Sequence, residues 1–264
     1  MKKNFPSDSG YVRPKKSLGQ HFLADDNIAQ KIVSSLTLCD QVLEVGPGTG
    51  VLTKFLLDHV QQLKAIEIDR QSVAYLHEHF PMLGENIIEG DFLKTDLSTI
   101  FTGEYSIIGN LPYNISSQIF FRVLQYCSQI PQVVGMIQKE VAERLAAPPG
   151  NKTYGIMTVL LGAFYEIEYL FTVNEKVFIP PPRVKSAVIR LQRKENFSLG
   201  VDEKLFFEVV KTAFNQRRKT MRNSLRGIWT GHLDAAEHDI FNKRPEQLNL
   251  DEFIELTRML TKAN

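Results

Sequence analysis

Between residues 41 and 137, short apolar runs alternate with amphipathic stretches, and this alternation constrains the fold more than any other feature. The runs are Gln41–Val45, Leu63–Asp69, a stretch near Asn86–Gly90, Tyr105–Ile108 and Gln132–Ile137. Short apolar runs bounded by Gly, Asp or Asn are how strands buried on both faces read. The segments between them carry apolar residues at helical spacing: Leu52, Phe55, Leu56 and Leu57, then about Ser72–Phe80, then about Ser117–Tyr126. Asp25 or Asp26 is an N-cap for an earlier helix with Ile28, Ile32, Val33 and Leu36 on one face. Such β-α alternation with short turns predicts a parallel, doubly wound α/β sheet. In such sheets ligands sit at the carboxyl ends of the strands.

Those ends carry the polar residues. The first turn reads Glu44-x-Gly46-x-Gly48-x-Gly50, where the missing Cβ atoms let backbone approach a ligand closely. It resembles the nucleotide-binding loop of class I methyltransferases that use S-adenosylmethionine. Glu67 ends the second strand, where a carboxylate can accept from both ribose hydroxyls. Asp91 ends the third and can accept from an adenine amine. The fourth ends in Gly109-Asn110-Leu111-Pro112-Tyr113. Asn110 offers a side-chain oxygen, and the Leu111 carbonyl is kept out of a helix because the residue before a proline avoids the α region. Tyr113 offers a flat ring. Two acceptors and one stacking face suit a planar group with an exocyclic amine. Alone, the pentapeptide reads equally well as an ordinary strand-to-helix turn; acidic residues in register on the neighbouring strands weigh against that.

Asn110-Leu111-Pro112-Tyr113 resembles the N-P-P-Y-type motif of methyltransferases acting on ring-conjugated amines. The wider pattern is identified as that of the small-subunit ribosomal RNA adenine dimethyltransferases, whose bacterial members confer kasugamycin sensitivity. The blocks are Gly19-Gln20-His21-Phe22-Leu23, Glu44 to Gly50, Glu67, Asp91, Asn110 to Tyr113, Gln138 to Val141, Phe178-x-Pro180-Pro181-Pro182-x-Val184-x-Ser186-Ala187-Val188, and Phe214 to Thr220. The match runs from about Lys15 to Leu225. It implies an α/β fold: a Rossmann-like class I methyltransferase sheet with a small all-helical C-terminal domain. It also implies dimethylation of N6 on two adjacent adenosines in the 3′-terminal hairpin of small-subunit (16S) rRNA. By residue, it puts His21, Leu23, Gly46, Glu67, Asp91 and Asn110 at S-adenosylmethionine. Asn110, Leu111 and Tyr113 hold the target base, and Phe178 packs on its other side. His21 departs from the pattern, since many relatives carry Asn there. No metal and no covalent nucleophile are required.

Charge agrees with a polyanionic partner. The formal net charge is only +1, but residues 1–16 carry five basic groups against one acidic, and residues 183–226 twelve against four. The candidate RNA contacts are Arg183 and Lys185 beside the base pocket, and Arg217, Arg218, Lys219, Arg222 and Arg226. On a continuous helix 218, 222 and 226 form one basic stripe. The domain reading is a flexible basic arm over 1–16, a catalytic domain over 17–195 and a helical RNA-binding domain over 196–264. Ser17–Leu23 reads as an ordered loop and Phe178–Arg183 as extended and polyproline-like. No apolar run approaches the ~20 residues of a membrane span. The N-terminus carries no secretory apolar stretch. Cys39 and Cys127 lack metal-ligand spacing and fit buried free thiols in a reducing cytosol. The expectation is a cytoplasmic monomer that binds small-subunit rRNA or the small-subunit precursor, with a role in subunit biogenesis. The alternatives are a large-subunit rRNA adenine methyltransferase of the macrolide-resistance type, a mainly non-catalytic ribosome-assembly factor and, with less support, a DNA adenine methyltransferase.

Overall fold

The computed structural model describes residues 12–228 and 238–263. The chain divides into two compact units. One runs to Ala142 and takes in Glu168–Gln192; the other joins Glu143–Ile167 to the residues from Arg193 on.

The first unit follows the order β1 (Phe22–Leu23), α1 (Asp26–Val33), β2 (Gln41–Val45), α2 (Thr53–His59), β3 (Gln62–Glu67), α3 (Arg70–His79), β4 (Ile87–Glu89), β5 (Ser106–Asn110), α4 (Ser116–Gln125) and β6 (Gln132–Gln138). It then adds β7 (Tyr165–Val173), β8 (Phe178–Ile179) and β9 (Ser186–Arg193). Seven strands form one sheet in the order β4-β3-β2-β5-β6-β9-β7. The chain leaves β2 towards β3 on one side, and β5 lies on the other, so the strand order reverses between β2 and β5. That reversal opens a crevice at the strand ends. Val42, Leu43, Ile107, Ile108, Val133 and Val134 are buried, which is why these strands read as continuous apolar runs. Asp25 caps α1 by accepting from the Ile28 N–H at 3.0 Å.

Several expectations change here. The sheet is mixed rather than wholly parallel: β2 to β6 run parallel, but β9 is antiparallel to β6. At the end of β6 the Lys139 N–H donates to the Lys185 carbonyl at 2.9 Å, so the chain re-enters the sheet where β6 stops and must run back. Ser17–Leu23 is ordered, as expected, but it is not loop throughout. A 3-10 turn at Lys16–Leu18 leads into β1, which pairs antiparallel with β8, Leu23 opposite Phe178. Phe178 and Ile179 are therefore strand rather than polyproline-like. The basic arm lies largely outside the described residues, which begin at 12, but its end belongs to the fold. Lys15 Nζ pairs with Asp69 Oδ1 at 2.5 Å, and Asp69 caps α3 through the Gln71 N–H.

The second unit is helical, with the end of α5 (Lys139–Leu145), then α6 (Ile156–Phe164), α7 (Glu203–Asn215), α8 (Met221–Ser224) and α9 (Leu250–Ala263). Residues 143–167 group here rather than with the sheet, because the apolar α6 packs against α7 and α9. Phe206, Val209, Val210 and Ala213 form the buried stripe of α7, and the Phe214 ring stacks on Phe253 with centroids 5.9 Å apart. The basic stripe does not form. α7 ends at Asn215, Gln216 turns to φ −117°, ψ 41°, and Thr220 is extended before the four-residue α8. Arg218, Arg222 and Arg226 thus share no helix face.

Candidate active site

A cavity of about 250 Å³ lies in the first unit at the carboxyl ends of β2, β3, β4 and β5. Ser17–Phe22 forms one wall; Gly46, Glu67, Asp91 and Asn110–Ile115 line the rest. Five of the six sequence candidates for the donor, His21, Gly46, Glu67, Asp91 and Asn110, therefore meet in one space, as do Leu111 and Tyr113. The wall is tied down at its start: Lys15 and Gln20 both reach Asp69, at 2.5 and 3.3 Å.

On the β2–β4 side, Gly46 has φ +67° and nothing within 4 Å of where a Cβ would sit. Its missing side chain clears room for a ligand. The other glycines of this turn clear room for the protein itself. A Cβ on Gly50 would lie 2.2 Å from the Phe80 ring at φ +76°. Gly50→Ala is expected to destabilise the protein by about 2–4 kcal/mol, from overpacking plus a left-handed backbone. A denaturation midpoint equal to that of the unsubstituted protein would refute this.

Glu67 is only 4% exposed. Its Oε2 accepts from the Gly48 N–H at 3.0 Å and its Oε1 from the Asp69 N–H at 2.9 Å. Each oxygen keeps a second acceptor site for a ribose hydroxyl. Burial pushes its pKa up, and the two backbone bonds partly offset this. Asp91 Oδ1 accepts from the Leu93 N–H at 3.0 Å, while Oδ2 has a looser contact with Lys94 at 3.6 Å. Ile68, Phe92 and Leu93 also line the cavity, and Ile68 is 49% exposed. Sequence reasoning missed these apolar walls for a flat ring. Their position just after each acidic strand end was the available signal.

Glu44 lies beneath this side, 1% exposed. Its Oε2 accepts from Thr53 Oγ1 at 2.6 Å, and its Oε1 has no partner. A recess of about 20 Å³, lined by Glu44, Gly46, Thr49 and Asn110 among others, adjoins it. An orphaned carboxylate oxygen, the clearance at Gly46 and the Glu67 acceptor together fit a cationic nucleoside such as S-adenosylmethionine. Leu23 lines this recess and is otherwise buried in the core, so it meets the donor side only at its edge.

On the β5 side, Asn110 Nδ2 donates to the His21 carbonyl at 2.8 Å, which leaves Oδ1 as its uncommitted end. The Leu111 side chain is buried over Gly135, where an added Cβ would be 3.0 Å from it. That anchor holds the backbone turn, and the Leu111 carbonyl accepts no hydrogen bond among the described residues. The Tyr113 hydroxyl is hydrogen-bonded to Ser186 Oγ, and burial raises its pKa. The His21 Nδ1 is 2.8 Å from the Pro180 carbonyl. Phe178 does not join them. It is 2% exposed in the core, because pairing with Leu23 turns it inward, and it does not line the cavity.

Arg183 and Lys185 are exposed. In the second unit Arg218, Lys219 and Arg226 are exposed, whereas Arg217 is engaged with the Lys152 carbonyl at 2.7 Å and Glu246 at 3.8 Å. Arg222 is half-buried. Among the described residues, no group of three or more His, Cys, Asp or Glu is placed to hold a metal ion. No helix there is long and apolar enough to cross a membrane.

Taken together, these groups can hold a nucleoside on one side of a crevice and a flat, amine-bearing ring on the other. This is the arrangement of Rossmann-like class I methyltransferases that act on amino groups of bases, with S-adenosylmethionine as methyl donor. The chain belongs to the ribosomal RNA adenine dimethylase family, whose model matches residues 12–262. It is similar to ribosomal RNA small subunit methyltransferase A of Parabacteroides distasonis, 58% identical over 253 residues, or 95% of each chain. Among solved structures it resembles a dimethyladenosine transferase from Plasmodium falciparum, with a TM-score of 0.80 and 27% identity over 92% of this chain and 98% of that one. The 23S rRNA methyltransferase ErmE is also similar, with a TM-score of 0.66 and 26% identity over 90% and 99% of the two chains.

Proposed function

We propose that this chain, acting as a cytoplasmic monomer, dimethylates N6 of two adjacent adenosines in the 3′-terminal hairpin of small-subunit rRNA during subunit assembly. The observation that carries the reading is the convergence of Glu67, Asp91 and Asn110-Leu111-Pro112-Tyr113 on one cavity. Bound there, S-adenosylmethionine supplies a methyl group on a sulfonium. The chain's own residues act on the acceptor. An adenine N6 lone pair is delocalised into the ring and is a poor nucleophile. In the first transfer Asn110 Oδ1 and the Leu111 carbonyl accept its two N–H groups, which turns the lone pair out of conjugation and aims it for in-line attack. The same acceptors stabilise positive charge developing on nitrogen. Tyr113 stacks on the base, which must leave its helix to reach the pocket. The exposed Arg183, Lys185, Arg218, Lys219 and Arg226 are candidates to grip phosphates and position the RNA without reading its sequence. The 58% identity to a small-subunit enzyme, against 26% to the large-subunit enzyme ErmE, supports the small subunit as substrate.

The test is methyl transfer from labelled donor to unmethylated small and large ribosomal subunits, followed by mapping of the modified adenosines. Label on two adjacent adenosines near the small-subunit 3′ end is the expected result. Label only on large-subunit rRNA, or none at all, would reject the proposal.

A further inference from the structure

The turn after β4 carries three residues that line the cavity, Asp91, Phe92 and Leu93. Its shape is set from within. The Asp91 carbonyl accepts from the Lys94 and Thr95 N–H groups and from Thr95 Oγ1, each at 2.9 Å, and Asp91 Oδ1 accepts from the Leu93 N–H at 3.0 Å. Its place in the molecule is set from outside. Phe92 anchors it in the core, and the Thr95 carbonyl accepts from Arg122 Nη2 on α4 at 2.5 Å. We propose that Arg122 is a positioning residue for the methyl donor: it holds this turn where the Asp91 carboxylate meets the adenine amine of S-adenosylmethionine. This rests on the methyltransferase function proposed above, with Asp91 facing that amine.

The guanidinium is held ready by its own helix. Nη1 donates to Gln125 Oε1 at 2.9 Å, and the group lies over the Tyr126 ring, 4.9 Å from its centroid. These partners are three and four residues further along, on the same face. A guanidinium stays charged, and a charged donor makes a stronger bond to a carbonyl than a neutral one. Tyr126 adds a second tie, since its hydroxyl donates to Asp96 Oδ1 at 3.2 Å. The end of α4 thus grips two consecutive residues, Thr95 and Asp96. Its start supports the acceptor loop: Ser116 Oγ donates to the Tyr113 carbonyl at 3.3 Å, and the Ile115 N–H to the Pro112 carbonyl at 3.2 Å. One helix therefore sets both the turn that meets the donor and the loop that takes the target amine. In-line transfer needs the two aligned. Lys94 is another cation at this turn, but it is 85% exposed and meets Asp91 Oδ2 only at 3.6 Å, so it touches the carboxylate without placing the backbone.

The probes are S-adenosylhomocysteine, which is the donor without its methyl group, and its analogue with hydrogen in place of the 6-amino group. Both are titrated by calorimetry. A hydrogen bond to a charged group is worth about 10- to 150-fold, so the unsubstituted protein should prefer the amine by that range. Arg122→Met keeps the stem and loses every donor. Its affinity for S-adenosylhomocysteine should fall about 5- to 20-fold and that for the analogue less than about threefold, so the preference collapses. Arg122→Lys keeps the charge and one donor and should retain more of the preference. An unchanged preference in Arg122→Met, equal losses for the two ligands, or a lysine variant no better than methionine would each overturn the proposal. Linkage supplies a measurement that needs no variant. If Arg122 supports recognition of the amine, the amine steadies Arg122. Its Nη hydrogens should then exchange more slowly, by NMR, with S-adenosylhomocysteine bound than with the analogue at saturation. Equal rates would overturn the proposal even where Arg122→Met does not fold. If the unsubstituted protein binds both probes equally, Asp91 does not face the amine and the proposal fails with that reading; if it binds neither, the donor site itself is rejected.

Discussion

Asn110→Ala is expected to lower single-turnover methyl transfer by about 10²–10³-fold, the loss that follows removal of one preorganised group facing developing charge. The side chain has two ends with two tasks. Nδ2 is committed to the His21 carbonyl at 2.8 Å, which fixes the rotamer and leaves Oδ1 for the amine. Alanine removes both. Asn110→Asp keeps an oxygen in place but sets a carboxylate against the His21 carbonyl, where a donor is required. The aspartate variant should therefore be impaired to within about tenfold of the alanine variant, even though charge alone would favour a cationic transition state. The assay is labelled transfer to unmethylated small subunits with both substrates saturating, alongside a thermal melt to exclude unfolding. Transfer by Asn110→Ala within about threefold of the unsubstituted protein would show that the Leu111 carbonyl suffices and that Asn110 has no catalytic part.

The sheet was legible because its strands are buried on both faces. Gln41–Val45 reads as a strand from sequence and is one, and the runs containing Ile66, Ile108 and Val134 follow for the same reason. The polar residues stood out because each follows such a run at a strand end. What stayed hidden depends on contacts between distant parts of the chain. Phe178 looks like an exposed ring beside three prolines, and only its pairing with Leu23, far away in sequence, buries it. The same pairing turns Ser17–Phe22 into a wall of the cavity. Arg218, Arg222 and Arg226 have helical spacing, but spacing does not report that the chain leaves the helix at Gln216. Ile68 follows Glu67 directly and Leu93 lies two residues after Asp91, so their position was a signal, but whether they wall a cavity or pack in the core shows only once the cavity they line is formed.

Glu44 sits two residues before Gly46 and looks like part of a glycine turn, yet it is a buried acid whose titration should dominate the pH dependence of stability. Burial pushes its pKa from 4.5 up to about 8; the Thr53 hydroxyl partly offsets this and the nearby Glu67 charge adds to it. The folded state thus holds the proton more tightly than the unfolded chain. Below pH 4.5 both states are protonated and Glu44 costs nothing. As pH rises from 4.5 to about 8 the unfolded chain loses the proton first and stability falls; above about 8 the loss is complete. At 1.36 kcal/mol per pH unit the full span amounts to at most about 5 kcal/mol. Glu67, also raised, contributes a slope of the same sign that is common to both proteins compared. Glu44→Gln, whose amide can still meet Thr53, should match the parent near pH 4.5 and exceed it in urea midpoint by a margin that grows to pH 8. Parallel stability curves across that range would refute the assignment. The same residue predicts a proton count. A cationic donor beside Oε1 favours the carboxylate, so donor binding at pH 7 should release a proton. Calorimetry in two buffers of different ionisation enthalpy would detect it, and Glu44→Gln should release none. Release of equal size in both proteins would place the proton on another group.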